Sequence, residues 1–120
     1  MKLNLLRKLA LVIGLLAGAI SGPAQSSAAP RFKVIAFYTG KNDLAHISFV
    51  HEANAWFPKM ADKYHFTYEA TTNWNDLNAE FLSHYQVVLF LDTRPDVPAQ
   101  RAAFQKYMEQ GGAWMGFHFA

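Results

Sequence analysis

The fold is decided by the last ten residues of the chain, Gly111-Gly112-Ala113-Trp114-Met115-Gly116-Phe117-His118-Phe119-Ala120. A pair of glycines is typical of a helix C-terminus, and the short apolar run after it predicts a β-strand. His118 then falls where that strand must end. In an open α/β sheet, ligands bind just past the carboxyl ends of the strands. His118 is therefore the leading candidate for a functional residue, since histidine titrates near neutral pH and also binds metals.

Three earlier segments complete the set of predicted strands, at residues 32–38, 65–70 and 87–91. The segment 87–91 is apolar throughout, which is typical of a central parallel strand covered on both faces. The segment 65–70 alternates polar and apolar side chains, which predicts a strand nearer the edge of the sheet.

Helices are predicted between the strands. The first carries one apolar stripe at spacings of three and four residues, formed by Phe49, Ala53, Phe57, Met60 and Tyr64. Pro58 lies inside this pattern and is expected to kink the helix or to begin a second short one, because proline lacks the N–H of the helical ladder. A short helix is predicted at 77–82, and another begins near Pro98 and ends at the glycine pair.

The order β-α-β-α-β-α-β predicts a parallel sheet with right-handed crossovers. Such a sheet brings the carboxyl ends of all four strands to one edge. That edge collects residues 39–43, 71–74 and 92–94 together with His118. The last two strands should be neighbours, because a single crossover helix joins them, and this would place Asp92 within reach of His118.

Composition narrows the functional classes. A length of 120 residues is typical of one domain, and 52% hydrophobic against 17% charged residues is a globular composition. The net charge is +2 and no basic run lies outside the N-terminus, so we expect no nucleic-acid partner. The absence of cysteine excludes disulfides, thiolate metal ligands, a cysteine nucleophile and a lipoprotein anchor.

Residues 1–28 have the order of a cleavable secretory signal peptide. Its parts are a positive start (Lys2, Arg7 and Lys8), an apolar core (residues 9–20) and small residues for a signal peptidase (Ser26-Ser27-Ala28). The mature chain, residues 29–120, would then be periplasmic or secreted, and would meet a membrane only during export. The alternative is an uncleaved membrane anchor, although the apolar core is shorter than the ~20 residues of a spanning helix.

Five motifs of the mature chain carry a resemblance to a known family: Thr39-Gly40, His46, Leu82-x-x-Tyr85-x-Val87-Val88, Gln100-Arg101-Ala102-Ala103-Phe104-x-x-Tyr107, and Gly111-Gly112-x-x-x-Gly116-x-His118-x-Ala120. The pattern resembles the ThuA-like (trehalose utilisation) family. The resemblance implies an α/β fold, a three-layer sandwich with a parallel sheet like that of flavodoxin and of class I glutamine amidotransferase domains. It also implies a role in the metabolism of trehalose or related glycosides.

Two departures from the family pattern matter. A ThuA-like domain is normally much longer than residues 29–120, so this chain resembles its N-terminal half, truncated after the fourth strand. Class I amidotransferases place a nucleophilic cysteine at the turn after the corresponding strand, where this chain has His118. Amidotransferase chemistry is therefore not expected here.

Two residues are candidate catalytic groups. His118 is a candidate general base, metal ligand or hydrogen-bond donor to a sugar hydroxyl; the alternative is a structural histidine among aromatic residues. Asp92 follows the central strand and would orient His118 or bind a sugar hydroxyl. The alternative for Asp92 is a turn closed by local hydrogen bonds with Arg94.

Four residues are candidate substrate-binding groups. His46 follows the loop after the first strand. Thr39 and Gly40 would either hold an anion with backbone N–H groups or form a tight turn that needs glycine. Trp74 would stack on a sugar if exposed, and would plug the end of the sheet if buried. No spacing of acids or histidines selects a metal, no motif identifies a cofactor, and none indicates an oligomeric state.

Three functions remain open at this point. An exported ThuA-like protein would act on a glycoside or an oxidised sugar, with His118 central and His46 and Asp92 nearby; no motif identifies the reaction. A non-catalytic carbohydrate-binding module would use the same edge without turnover. A truncated fragment would have no activity of its own. In the first two cases the partner is a small-molecule carbohydrate.

Overall fold

The computed structural model describes residues 28–41 and 43–118. The predicted signal peptide, apart from Ala28, lies outside the described residues. In chain order the elements are β1 (Lys33–Phe37), α1 (Leu44–Tyr64), β2 (Thr67–Thr71), a 3-10 turn (Trp74–Asp76), α2 (Ala79–Leu82), β3 (Val87–Phe90), α3 (Pro98–Glu109) and β4 (Ala113–Gly116).

The four strands form one parallel sheet in the order β2-β1-β3-β4. β3 and β4 are direct neighbours, as the single crossover helix between them predicts. The register aligns the ends of three strands, Phe37, Phe90 and Gly116, at the same edge of the sheet. The structure therefore confirms the predicted α/β fold.

Helices cover both faces of the sheet, which makes three layers. On one face, α1 contributes to a buried core formed by Val34, Ala36, Val50, Ala53, Leu89 and Leu91. On the other face, α2 and α3 contribute to a core formed by Ile35, Phe37, Leu77, Leu82, Tyr85, Val88, Phe90 and Tyr107. Successive residues of β1 and β3 therefore enter different cores, which explains why both strands are apolar without alternation.

Helix α1 is one continuous helix, and the strand after it begins later than predicted. It continues through Pro58 as one helix, so no second helix forms there. The buried residues on both sides of the proline, Val50, Ala53 and Ala61, outweigh the lost hydrogen bond and the ring clash, which together cost about 3 kcal/mol. The helix ends at Tyr64, the last residue of the predicted stripe, because His65 takes the left-handed conformation (φ 59°) and its N–H donates to the carbonyl of Ala61. β2 therefore begins at Thr67 rather than at residue 65.

The last turn of α3 explains one of the paired glycines. A Cβ at Gly112 would lie 2.2 Å from Cε1 of Tyr107, well inside van der Waals contact. The Tyr107 ring is buried there, and its hydroxyl donates to the carbonyl of Ala113, 3.2 Å away. Gly112 thus allows the chain to pass against the ring on its way into β4.

Strand β4 lies at the edge of the sheet, and all four of its residues are exposed. Trp114 is 42% exposed and Met115 is 52% exposed. Both are apolar side chains on a strand of the parallel class that is normally covered on both faces. Among the helices in the described part of the chain, none combines the length and apolar character that a membrane crossing requires.

Candidate functional site

A cavity of about 500 Å³ opens at the edge of the sheet where the strands end. Its lining residues are Asp43, Ala45, His46, Phe49, Leu91, Phe117 and His118. The start of α1 supplies the first four, and the segments just after β3 and β4 supply the rest. The cavity therefore combines two imidazoles and one carboxylate with apolar walls, at the position where α/β sheets bind ligands.

The two histidines at this edge contact each other. Nε2 of His46 lies 3.2 Å from Nδ1 of His118, and the rings stack with centroids 5.4 Å apart and an interplanar angle of 20°. In a hydrogen bond between these nitrogens, one carries the proton and the other accepts the hydrogen bond, and the tautomers of the two rings determine which is which. The sequence placed both residues at this edge, and the structure brings them together across 72 positions of the chain.

Asp43 is the carboxylate next to this pair, and it also caps α1. Its Oδ1 accepts hydrogen bonds from the backbone N–H groups of Ala45 at 2.9 Å and His46 at 3.1 Å. Its Oδ2 lies 2.9 Å from Nδ1 of His46. The backbone N–H of His46, followed by its side chain, holds the pKa of Asp43 below its ordinary value of 3.8. Asp43 is therefore ionised at neutral pH, beside His46.

Asp92 is completely buried, and its carboxylate holds the loop between β1 and α1. Oδ1 accepts from the N–H of Thr39 at 2.7 Å, and Oδ2 accepts from the Thr39 hydroxyl at 2.8 Å and from the N–H of Gly40 at 2.6 Å. The prediction placed Asp92 within hydrogen-bonding reach of His118. The structure shows that the Asp92 carboxylate accepts hydrogen bonds from Thr39 and Gly40, and its contact with His118 stays a prediction.

Thr39 and Gly40 were predicted either to bind an anion or to form a tight turn. Both of their backbone N–H groups donate to Asp92, as described above. Gly40 has φ 64°, in the left-handed region that favours glycine. These observations match the tight turn, which fixes the start of the loop that leads to Asp43.

Trp74 is half-buried and plugs the end of the sheet. Its indole ring packs against Phe37 at 5.3 Å and Phe90 at 5.5 Å between centroids. Its Nε1–H donates to the carbonyl of Tyr38 at 3.3 Å. This is the buried alternative of the two that the sequence allowed, and the cavity beside His118 has other lining residues.

The remaining histidines lie apart from the pair. His51, His65 and His84 are exposed, as expected for His65 and His84 from the sequence. Within residues 28–41 and 43–118, no group of three or more histidine, aspartate or glutamate side chains is arranged to hold a metal ion.

Asp43 was not among the predicted site residues, although the sequence contains its signal. An aspartate at an N-cap position, followed three residues later by a residue with a polar side chain, resembles a capping box. In a capping box the N-cap side chain accepts a hydrogen bond from the N3 backbone N–H, as Asp43 does from His46. Asp43 and His46 have this spacing, and the histidine makes the cap part of the cavity.

Comparison with known proteins decides the family. The sequence matches the family ThuA, described as Trehalose utilisation, over residues 33–120. The chain belongs to the ThuA family. The match runs from the first residue of β1 and includes both His46 and His118. The resemblance found in the sequence is thus confirmed.

A solved relative agrees with this assignment. The crystal structure of a ThuA-like protein from Bacteroides uniformis is similar to this ThuA chain, with 39% sequence identity and a TM-score of 0.71. The similarity covers 81% of this chain and 40% of that one, so the chain spans about two fifths of the length of that relative. No protein with a curated description matches the sequence.

Proposed function

We propose that this ThuA chain is exported and that the cavity beside His46 and His118 binds a carbohydrate. One observation carries the proposal: two imidazoles in contact, 3.2 Å apart, at the edge of the sheet where α/β folds bind ligands. The description of the family, trehalose utilisation, supports a sugar as the class of ligand.

The lining of the cavity suits the two kinds of surface that a sugar presents. Imidazole nitrogens donate hydrogen bonds to hydroxyl groups and accept them. The Phe49 and Phe117 rings, with centroids 4.9 Å apart, offer an apolar surface to the C–H face of a pyranose. The volume of about 500 Å³ lies within the range of small-molecule sites.

The pair also suits proton transfer. His118 is exposed in the cavity, whereas the His46 side chain is only 13% exposed and lies between His118 and Asp43. His118 would exchange a proton with a sugar hydroxyl, and His46 and Asp43 would stabilise the imidazolium that forms. A non-catalytic module would use the same hydrogen bonds without turnover.

The binding test is calorimetric titration of the protein with trehalose, maltose and methyl glucoside. His118→Ala should weaken binding of the preferred sugar about tenfold or more, the effect of one or two lost hydrogen bonds. The melting temperature should change little, because the side chain is exposed. His84→Ala is the matched control, since His84 is exposed and lies outside the cavity.

Two outcomes contradict the proposal: no sugar binds, or His118→Ala lowers the melting temperature and leaves the affinity intact. If a sugar binds, the pH dependence separates the two modes of use. An enzyme should convert the sugar at a rate that changes with pH in the range where histidine side chains ordinarily titrate, whereas a binding module should show no turnover.

Export has its own test. The charged start, apolar core and small residues of the first 28 positions support cleavage after Ala28. Mass spectrometry of the periplasmic or secreted protein should find Ala29 or a near neighbour at the N-terminus. An intact Met1 on a membrane-bound protein would contradict this part of the proposal.

A further inference from the structure

We propose that the outer edge of β4 is a dimer interface, at which β4 of a second copy of this chain pairs antiparallel about a twofold axis at Met115. Within residues 28–41 and 43–118, no other strand pairs with this edge of the sheet. Trp114 and Met115 are exposed there, and the strand Ala113–Gly116 has no charged residue. Natural proteins protect an edge strand with charges or a cover, so an apolar edge without charges indicates a partner. The proposal does not depend on the proposed sugar site.

The bonds between β4 and β3 show which backbone groups of β4 point outward. The N–H groups of Ala113 and Phe117 both donate to carbonyls on the β3 side, at 3.0 Å. Because backbone groups alternate in direction along a strand, the N–H and C=O groups of Trp114 and Gly116 point away from β3. These groups are the donors and acceptors that a further strand would meet.

One antiparallel register about a twofold axis uses both of these residues within the strand. It pairs Trp114 of each copy with Gly116 of the other, and Met115 faces Met115 at the centre. A shift toward the N-terminus would pair Gly116 with Gly112, whose N–H already donates to a carbonyl of α3. A shift toward the C-terminus would pair Trp114 with His118, which lies beyond the end of β4.

The same register also matches the side chains of the two copies. The Trp114 indole lies on the α3 face of the sheet, where it packs on Phe90 and Phe104 with ring centroids 5.9 and 5.8 Å away. Directly opposite residues share a face, so Trp114 would extend over Gly116 of the second copy, and an aromatic ring stabilises a strand glycine by covering it. On the other face, the two Met115 side chains would meet in a non-hydrogen-bonded pair, the type in which side chains are closest.

The charges on α3 suit this symmetry. α3 connects two neighbouring parallel strands and therefore runs opposite to them, with Arg101 in its first turn and Glu109 at its end. Both side chains are exposed. A twofold axis normal to the sheet reverses α3 of the second copy, so Arg101 of one copy and Glu109 of the other lie at the same end of the interface. Lys106, the basic residue of the last turn, instead lines a cavity between α2 and α3.

Cysteine cross-linking tests the register, since the chain has no cysteine of its own. In the proposed dimer the two Cα atoms at position 115 are about 4.5 Å apart, within the range that a disulfide spans. Under mild oxidation, most of the purified Met115→Cys protein should become a covalent dimer. Trp114→Cys should stay uncrosslinked, because position 114 lies opposite position 116. Met108→Cys is the matched control: Met108 is 39% exposed on α3, and the symmetry places its two copies at opposite ends of the interface.

Sedimentation velocity of the unchanged protein is an independent readout. A dimer whose fraction falls on dilution is expected. A monomer at every concentration overturns the proposal, and is the result expected if a different polypeptide covers β4. Equal cross-linking of Trp114→Cys and Met115→Cys also overturns it, because association through the edge without a fixed register would give that result. Failure of a sugar to bind to a dimer that cross-links as stated would count against the proposed function alone.

Discussion

Replacement of Asp92 should destabilise the fold strongly, because its carboxylate satisfies three donors in the loop between β1 and α1. Asp92→Ala leaves two backbone N–H groups and one hydroxyl without their acceptor. Each lost partner costs roughly 1 kcal/mol or somewhat more. The free energy of unfolding should therefore fall by about 3 to 5 kcal/mol, a large part of the total stability of a small domain.

Asp92→Asn should cost less, and the structure gives the reason. The amide oxygen is best placed at Oδ2, where it keeps the bonds from the Thr39 hydroxyl and the Gly40 N–H. The NH₂ group then faces the Thr39 N–H, donor against donor, at the place of Oδ1. One bond is lost and one repulsive contact is added, for a cost of about 2 kcal/mol. Thr39→Val removes the bond that the hydroxyl donates to Asp92 and the longer bond, 3.4 Å, that it accepts from the Lys41 N–H, and should cost about 1 kcal/mol.

Urea unfolding followed by tryptophan fluorescence measures these losses, since Trp74 packs at the same end of the sheet. The expected order of destabilisation is Asp92→Ala, then Asp92→Asn, then Thr39→Val. Arg94→Ala serves as the control, because Arg94 is exposed and lies only two residues after Asp92 in the chain. A loss below about 1 kcal/mol for Asp92→Ala would refute this account of the loop.

Three further predictions concern other parts of the chain. The pKa of Asp43 in the folded protein lies below 3.8, so the ionised carboxylate stabilises the fold above pH 3.8. This contribution is lost as the pH falls through the folded pKa. In Asp43→Asn the free energy of unfolding should therefore depend less on pH in that acid range. Gly112→Ala should lower the melting temperature by several degrees, because the new methyl group meets the Tyr107 ring. Gly111→Ala is the comparison that separates this clash from backbone strain, because a Cβ there has open space around it but the residue has φ 90°. The protein should have low stability and should self-associate through the exposed edge of β4. Met115→Lys should reduce the associated fraction measured by sedimentation velocity, and a stable monomer would contradict the prediction.

Much of the fold was predictable because its signals are local. Each signal is contained in a short stretch of sequence: the apolar runs of β1 and β3, the glycine pair after α3, and the single helix that connects β3 to β4. Pro58 was the exception among the helices. Its local preference against helix is outweighed by packing of α1 on the sheet, which the sequence does not reveal.

The candidate site was predictable only in part. Topology alone brings His46 and His118 to one edge, and this holds in the structure. The choice between two nearby acids depends on side-chain direction: Asp92 turns into the loop toward Thr39 and Gly40, whereas Asp43 lies beside His46. Spacing along the chain indicates which residues share an edge, and not which way each carboxylate points.

The most direct test of the central claim is to titrate the protein with trehalose and to monitor the NMR signals of all its histidine rings. The account predicts that the ring signals of His46 and His118 shift together and saturate, while those of His51 and His84, which lie outside the cavity, stay in place. Saturable shifts confined to the histidines outside the cavity, or no saturable shift at any histidine across a series of glycosides, would contradict it.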